Sequence, residues 1–307
     1  MGRDIDAIKI TGEDRRRYRD KVRRSLDVFA RMLREHRFEG DPPQVGVEVE
    51  LNLVDGDGEP SMQNADVLDA IADPAWATEL GQFNLEINVP PRELGGTAVA
   101  DLEQELRGSL NNADEKAAKV GSRLVMVGIL PTLREDHMHE GTISANTRYR
   151  VLPAGPSVAD VVANAAFYYG LLRALAEAQR PIWTQLSFAT AEENLHEAAR
   201  HGMDARLYWP GLGEAPAAEL VLRRLLPMAR DGLAAWGVST SLADRLLDII
   251  EQRCLTGQTG AAWQKATVAA LSNHGAADRS EALRLMTQRY IDHMHTNEPV
   301  HTWPITL

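Results

Sequence analysis

One segment near the start of the chain alternates strictly between apolar and polar residues. Over residues 45–54, valine or leucine takes every second position, and Glu48, Glu50 and Asn52 lie between them. Successive side chains of a strand point to opposite faces, so the pattern predicts a half-buried β-strand. The two carboxylates share the polar face, about 7 Å apart. Residues 55–58, Asp-Gly-Asp-Gly, are typical of a turn that ends the strand.

A second segment, residues 83–89, has the same pattern. Asn84, Glu86 and Asn88 take the polar positions, and apolar residues take the others. Pro90 and Pro91 are expected to stop this strand, because proline has no N–H to donate to a sheet. If the two strands are neighbours, three acidic side chains and several amides converge on one face.

Clustered carboxylates repel one another, and a hard divalent cation relieves that repulsion most simply. Mg²⁺ prefers oxygen ligands and commonly bridges one or two carboxylates to substrate phosphates. The alternative is an ordinary solvated face of a sheet. Glutamate is depleted in strands, yet here strong strand formers flank each acid, which favours a binding site.

Composition narrows the class of protein. The chain has 307 residues, 44% hydrophobic and 25% charged, as in a globular protein of one large or two modest domains. A net charge of −11 argues against nucleic acid as a partner.

The single cysteine, Cys254, cannot form an internal disulfide. No segment is long and apolar enough to span a membrane, and no signal core is evident. We therefore expect a cytoplasmic protein with no membrane partner.

Helical periodicity dominates the rest of the chain, so we predict an α+β fold. Residues 1–150 form the strand-containing half with the acidic site, residues 151–307 form a mainly helical half, and together they make one catalytic-type domain. A proline-rich connector at 153–156 separates the halves. Helices are predicted over residues 13–36, 99–120, 157–178, 217–236, 239–253 and 279–295, with further strands at 124–130 and 182–188.

Three other motifs carry weaker signals. His293 and His295 lie two apart in a predicted helix, about 200° around its axis, so they cannot share a zinc site. The loop at residues 256–260 follows a helix and lacks the lysine of a P-loop, but it could border the site. Cys254 has no nearby base in the sequence and is interpreted as structural.

The two acidic segments together resemble the paired acidic strands of glutamate-cysteine ligase family 2, the bacterial carboxylate-amine ligases, and especially their actinobacterial-type members. The resemblance continues in order along the chain. It includes residues 128–133 (GILPTL), 151–156 (VLPAGP), 163–168 (ANAAFY), 208–213 (YWPGLG) and 295–304 (HTNEPVHTWP).

The resemblance implies a glutamine-synthetase-like antiparallel sheet whose acidic face holds Mg²⁺ and ATP. Glu48, Glu50 and Glu86 would be metal ligands, and Asn88 a neighbouring polar contact to the cofactor. In such enzymes ATP phosphorylates a carboxylate, here the γ-carboxylate of glutamate, and an amine such as that of cysteine then attacks the acyl phosphate. Small molecules are therefore the expected partners.

The chain also departs from the family pattern. In the family a long strand-rich segment follows the motif found here at residues 144–149 (SANTRY), whereas here that motif runs directly into Arg150. Relative to the family pattern, the central segment is missing. Arg148 and Tyr149 replace an acid and an amide. Arg150 is kept, and the resemblance implies a catalytic and cofactor-binding role in pairing with a phosphate or carboxylate. The alternative is an exposed loop arginine.

Two further hypotheses follow from the missing centre. The chain could be a catalytically impaired, ligase-derived binding or structural protein. Alternatively, removal of central strands would expose sheet edges and cause self-association. A homo-oligomer could also complete the site across an interface.

Overall fold

The computed structural model describes residues 12–35, 44–93, 95–142, 144, 155–274 and 276–305. A small antiparallel sheet is combined with a larger set of helices, in agreement with the predicted α+β class. None of the helices in these ranges has the length and apolar character needed to cross a bilayer.

The helices and strands follow one another in a simple order. The strands are β1 Gln44–Val54, β2 Trp76–Thr78, β3 Asn84–Glu93, β4 Arg123–Val125, β5 Arg206–Trp209 and β6 Gly213–Pro216. The helices are α1 Gly12–Arg34, α2 Asn64–Ile71, α3 Ala98–Lys119, α4 Val158–Ala176, α5 Phe188–His201, α6 Ala217–Leu220, α7 Leu226–Ala235, α8 Thr240–Thr256, α9 Gly260–His274 and α10 Arg279–Thr296. A π-helical turn, Val221–Leu225, joins α6 to α7.

The main sheet has the order β2-β3-β1-β4, and every neighbouring pair is antiparallel. The two strands predicted from alternation are therefore direct neighbours. Their register places Glu50 opposite Glu86 and Glu48 opposite Asn88. This pairing puts the polar positions of both strands on one face of the sheet.

The predicted end of the second strand at Pro90 and Pro91 is wrong. Val47 lies opposite Val89 and Val45 opposite Arg92, so β3 has one more residue than β1 between these pairs. This irregularity is a β-bulge, which lets a strand continue past residues that cannot complete the ladder.

The predicted strand at 124–130 is much shorter than expected, since β4 covers only Arg123–Val125. The next two carbonyls accept hydrogen bonds from side chains, at 2.8 Å from Tyr290 Oη and at 2.7 Å from Asn52 Nδ2. Side chains thus donate to the backbone carbonyl groups that a neighbouring strand would have paired with if β4 were longer.

The predicted strand at 182–188 is wrong. Ile182–Thr184 forms a 3₁₀ turn, and α5 begins at Phe188. The Ser187 side chain accepts the Thr190 N–H and so caps α5. A cap of this kind satisfies a free N–H of the first turn and so favours the start of a helix at this position.

One hydrophobic core joins both halves of the chain. The apolar face of the sheet contributes Val49, Leu51, Leu85 and Ile87 to it. Buried residues of α3, α4, α8 and α10 belong to the same cluster. The acidic face of the sheet therefore lies on the side away from this core.

Helices α4 and α7 approach so closely that their contact requires glycine. A Cβ atom at Gly170 would overlap the backbone of Ala229, and one at Gly232 would overlap the backbone of Gly170. We expect Gly232→Ala to lower the free energy of unfolding by about 1–3 kcal/mol, because the helices must separate to admit the methyl group. Urea denaturation measures this change.

Gly108 in α3 is the matched control, because it is an exposed helical glycine at which an added methyl group would meet only open space. Gly108→Ala should be neutral or stabilise by up to about 1 kcal/mol, as expected from helix propensity alone. Equal effects of the two substitutions would contradict the close-contact explanation.

Candidate functional site

Glu50 and Glu86 face each other at the centre of the acidic face. The Asn88 N–H donates to the Ala75 carbonyl, so the even-numbered residues of β3 direct their backbone groups away from β1. Glu50 and Glu86 therefore form a non-hydrogen-bonded pair of the antiparallel ladder. Side chains are closest in such pairs, with Cα atoms about 4.5 Å apart. The backbone thus forces two carboxylates together.

Glu86 is fully buried, which is unusual for a glutamate. Its Oε1 accepts a hydrogen bond from Asn88 Nδ2 at 2.9 Å. Its Oε2 has no hydrogen-bond donor among the described groups. A buried carboxylate oxygen without a donor or cation is costly, so the site is electrostatically incomplete as it stands.

Glu79 is a fourth acidic residue of the site, and the sequence analysis missed it. It directly follows β2, it is 5% exposed, and its Oε1 also lacks a donor among the described groups. The Glu79 and Glu86 carboxyl groups are within hydrogen-bonding reach of each other. Two ionised carboxylates have no proton to share, so either a proton or a cation must stabilise this contact.

Burial and mutual repulsion raise the pKa values of Glu79 and Glu50. Burial is the largest cause of the rise in the pKa of Glu79 to about 7, followed by its hydrogen bond with Glu86 and the charges of Glu86 and Glu50. The Leu80 N–H opposes the rise by donating to Glu79. Burial also raises the pKa of Glu50, with the charge of Glu86 as the second cause. Near neutral pH, the site therefore disfavours full ionisation.

The other two predicted site residues on the sheet lie beside this pair. Glu48 is exposed and lies on the same face of β1 as Glu50. Asn88 lies opposite Glu48, is partly buried, and orients Glu86 through its amide. The structure thus brings Glu48, Glu50, Glu86 and Asn88 together on one face.

Amide side chains fix the far end of the acidic face. Asn84 Nδ2 donates to Asn52 Oδ1 at 2.9 Å, and Asn52 Nδ2 donates to the Val127 carbonyl at 2.7 Å. This chain of hydrogen bonds ties β3 to β1 and β1 to the segment after β4. It keeps Glu86 and Glu50 in register.

Ser144 lies next to the turn that carries Glu79. Its N–H donates to the Leu80 carbonyl at 2.8 Å, and its Oγ accepts from Asn64 Nδ2 at 2.9 Å. Ser144 is the first residue of the motif at 144–149, so that motif starts at the acidic site. Arg150, predicted as catalytic and cofactor-binding, lies outside the described residues.

The chemistry of this donor set fits a hard divalent cation. Carboxylate oxygens converge, and two buried ones lack a donor among the described groups. Within the described ranges, however, no group of three or more histidine, cysteine, aspartate or glutamate side chains is already arranged to hold a metal ion. Coordination would therefore require side-chain rotation, for which exposed Glu48 and partly buried Glu50 have the most room.

The weaker motifs are accounted for by structural contacts. Gln258, in the loop at 256–260, donates to the carbonyls of Val300 and Trp303, both at 2.8 Å, so this loop holds the C-terminal segment. His295 pairs with Asp114 at 3.3 Å. Burial raises the pKa of the Cys254 thiol to about 11, which keeps it protonated and unreactive near neutral pH.

Comparison with known proteins agrees with the sequence reasoning. No curated protein matches the chain. The family model of glutamate-cysteine ligase family 2 (GCS2) matches residues 44–153. The matched stretch contains β1, β3 and the turn with Glu79, and it ends shortly after the motif at 144–149. The resemblance inferred from the acidic strands is therefore confirmed over residues 44–153, the range that the glutamate-cysteine ligase family 2 model matches.

Proposed function

We propose that the protein is an ATP- and Mg²⁺-dependent carboxylate-amine ligase of the glutamate-cysteine ligase type. The observation that carries the proposal is the convergence of Glu50, Glu79 and Glu86, with two buried carboxylate oxygens that have no donor among the described groups. The family match supports the same chemistry. An ordinary solvated sheet face would not contain a fully buried glutamate.

Glu48, Glu50 and Glu86 would hold Mg²⁺, with Glu79 beside them. The bound ion would neutralise the negative charge of the transferred phosphoryl group. The protein's own contribution would be positioning, because the sheet register and the Asn88 amide already fix Glu86. Asn88 would also contact the nucleotide.

The proposed reaction has two steps. The γ-phosphoryl group of ATP passes to a carboxylate oxygen of the acid substrate, which gives an acyl phosphate and ADP. The amine then attacks the acyl carbon, and inorganic phosphate leaves as the amide forms. The γ-carboxylate of glutamate is the proposed acid and cysteine the proposed amine.

The architecture agrees with this proposal in outline. A four-stranded antiparallel sheet with acids on one face supports a shortened glutamine-synthetase-like arrangement. The shared hydrophobic core supports residues 1–150 and 151–307 acting as one catalytic-type domain. Arg150, six residues after Ser144 in the sequence, would pair with a phosphate or carboxylate.

ADP release tests the proposal directly. The protein should release ADP from ATP only when Mg²⁺, glutamate and an amine such as cysteine are all present. Glu50→Gln removes one central carboxylate charge with little change of shape, so we expect it to lower the rate at least about 100-fold, the scale of losing a key electrostatic contact. A coupled ADP assay with a panel of amines measures this.

Glu115→Gln is the matched control, because Glu115 is exposed on α3. It should retain the full rate. If well-folded protein releases no more ADP than Glu50→Gln, the ligase proposal is wrong. Stabilisation by Mg²⁺-ATP without turnover would instead support the ligase-derived binding protein.

A further inference from the structure

Helix α1 is exposed along its length, with only Met32 partly buried. None of its 23 residues, Gly12–Arg34, is buried, and no described helix or strand makes extensive contact with it. Charged side chains at both ends interact favourably with the helix dipole, since Glu13 and Asp14 lie in the first turn and Arg31 and Arg34 in the last. A helix that buries none of its residues is nevertheless marginal in water, since most helical stability comes from burying an apolar face.

That apolar face is well formed. At 3.6 residues per turn, five of the seven large apolar side chains of α1 form a stripe within about 80° around the helix axis that extends about 22 Å along it, and Val28 and Met32 lie beside this stripe. Each side chain of the stripe is more than a third exposed, with exposed fractions of 69% for Tyr18, 37% for Val22, 59% for Leu26, 50% for Phe29 and 52% for Leu33. Such a stripe on one element marks an interaction surface.

The charge of α1 opposes that of the rest of the chain. Its sequence contains nine basic and four acidic side chains, a net charge of +5. The whole chain carries −11, so the remaining residues carry −16. Arg19 and Arg23 flank the apolar stripe on one side, and Lys21 flanks it on the other. A partner of α1 must therefore be both apolar and negatively charged.

A second copy of the chain meets these requirements poorly. Two α1 helices side by side would bring two charges of +5 together. The open groove lined by Trp209 and Met228 contains Arg223 and Arg224 and only one acid, Asp231. The other strongly exposed apolar residues, such as Ile129, Phe188 and Leu255, lie on separate elements.

We propose that α1 binds the surface of an anionic lipid membrane. A helix with an apolar face of aromatic and aliphatic residues, flanked by basic residues, lies in the membrane interface with its apolar face among the acyl chains and its basic residues at the headgroups. At physiological salt the screening length is about 8 Å, so the acidic remainder of the chain does not cancel the local attraction. This mode needs no spanning helix, and it replaces the expectation of no membrane partner by binding to a membrane surface. The proposal is independent of the ligase activity.

Vesicle cosedimentation tests the proposal. The full chain should bind vesicles of phosphatidylglycerol and phosphatidylcholine near about 0.15 M salt, and lose binding when the salt is raised several-fold. It should not bind vesicles of phosphatidylcholine alone.

Two variants separate the apolar and the electrostatic contributions. Leu26→Gln leaves the charge unchanged but breaks the apolar stripe, and should weaken binding at least about tenfold. The double variant Arg19→Gln, Arg23→Gln should weaken it by about fivefold for each residue lost.

Leu255→Gln is the matched control, because Leu255 on α8 is 62% exposed, as Leu26 is 59% exposed. It should bind vesicles like the original chain. The proposal is overturned if anionic vesicles do not bind, or if Leu26→Gln binds as well as Leu255→Gln. It is also overturned if sedimentation equilibrium without lipid shows that Leu26→Gln converts a dimer to a monomer, or if α1 instead binds duplex DNA with no loss in Leu26→Gln.

Discussion

Replacement of Asp160 by alanine is expected to lower the free energy of unfolding by about 3–5 kcal/mol, the scale of breaking a buried ion pair. Asp160 is fully buried near the start of α4, and its Oδ1 lies 2.9 Å from Nη2 of Arg253 in α8. Without this carboxylate, the Arg253 guanidinium would remain buried without its counter-charge. Burial already lowers the pKa of Arg253 even when the pair is intact.

The carboxylate of Asp160 also organises the segment after α10. Its Oδ2 accepts hydrogen bonds from Ser157 Oγ at 2.8 Å and from the Val300 N–H at 3.0 Å. The Asp160→Ala change would leave a buried N–H without an acceptor, which adds to the cost. Chemical denaturation followed by circular dichroism measures the total effect.

A second substitution tests this explanation. If the main cost of Asp160→Ala is the Arg253 cation left without its counter-charge, the double variant Asp160→Ala, Arg253→Met should be more stable than Asp160→Ala alone. In the double variant, no buried charge remains unpaired. Strictly additive losses from the two single changes would contradict the ion-pair explanation. Arg245→Met removes an exposed arginine paired with Glu103 and should cost less than about 1 kcal/mol.

Glu79→Gln is expected to stabilise the metal-free protein at pH 8 by about 1–3 kcal/mol, because each unit of pKa shift corresponds to about 1.4 kcal/mol. The folded pKa of Glu79 is raised from 4.5 to about 7. The stability associated with protonated Glu79 is therefore fully present below pH 4.5 and is lost as the pH rises through 7. Glutamine keeps a neutral donor beside Glu86 at every pH.

Measuring the free energy of unfolding of the original chain and of Glu79→Gln at pH 4.5 and pH 8, in the presence of a chelator, checks the sign of this pH dependence. The two proteins should be equally stable at the lower pH and differ at the higher one. Mg²⁺ should stabilise the original chain at pH 8 more than the variant, since it replaces the missing proton. A variant that is less stable than the original chain at pH 8 without metal would show that Glu79 is not repelled by its neighbours. Glu115→Gln on exposed α3 controls for the loss of one negative charge.

The acidic strands could be predicted because alternation and residue type agree over many positions. Eleven residues of β1 and ten of β3 give several periods each, and the shared polar pattern raised their pairing as a hypothesis that the register confirms. The shorter β2 has only three residues, so its periodicity carries no signal. Glu79 directly follows that strand and was missed for this reason. Its spacing of seven residues before Glu86 became meaningful only when β2 proved to pair with β3.

Tertiary contacts explain the remaining differences. Asp160 occupies the first turn of α4, where an acid is favourable for local reasons alone. Its burial against Arg253 joins residues 93 positions apart, which no local pattern reveals. Gly170 and Gly232 could not be predicted as contact residues either. A single glycine in a helical segment does not indicate a close contact, and the crossing of α4 and α7 is visible only in the structure.

The contacts of Asp160 set an order of events during synthesis. Val300, which donates to this carboxylate, follows it by 140 residues. At a translation rate of about 5–20 residues per second, roughly 7–28 s separate the two residues as they are made. Before Val300 is made, the Asp160 carboxylate of α4 lacks one of its hydrogen-bond donors. The helical half therefore stays partly solvated until the segment after α10 has been synthesised. Nascent chains halted before Val300 should consequently be the form of this protein most in need of chaperones.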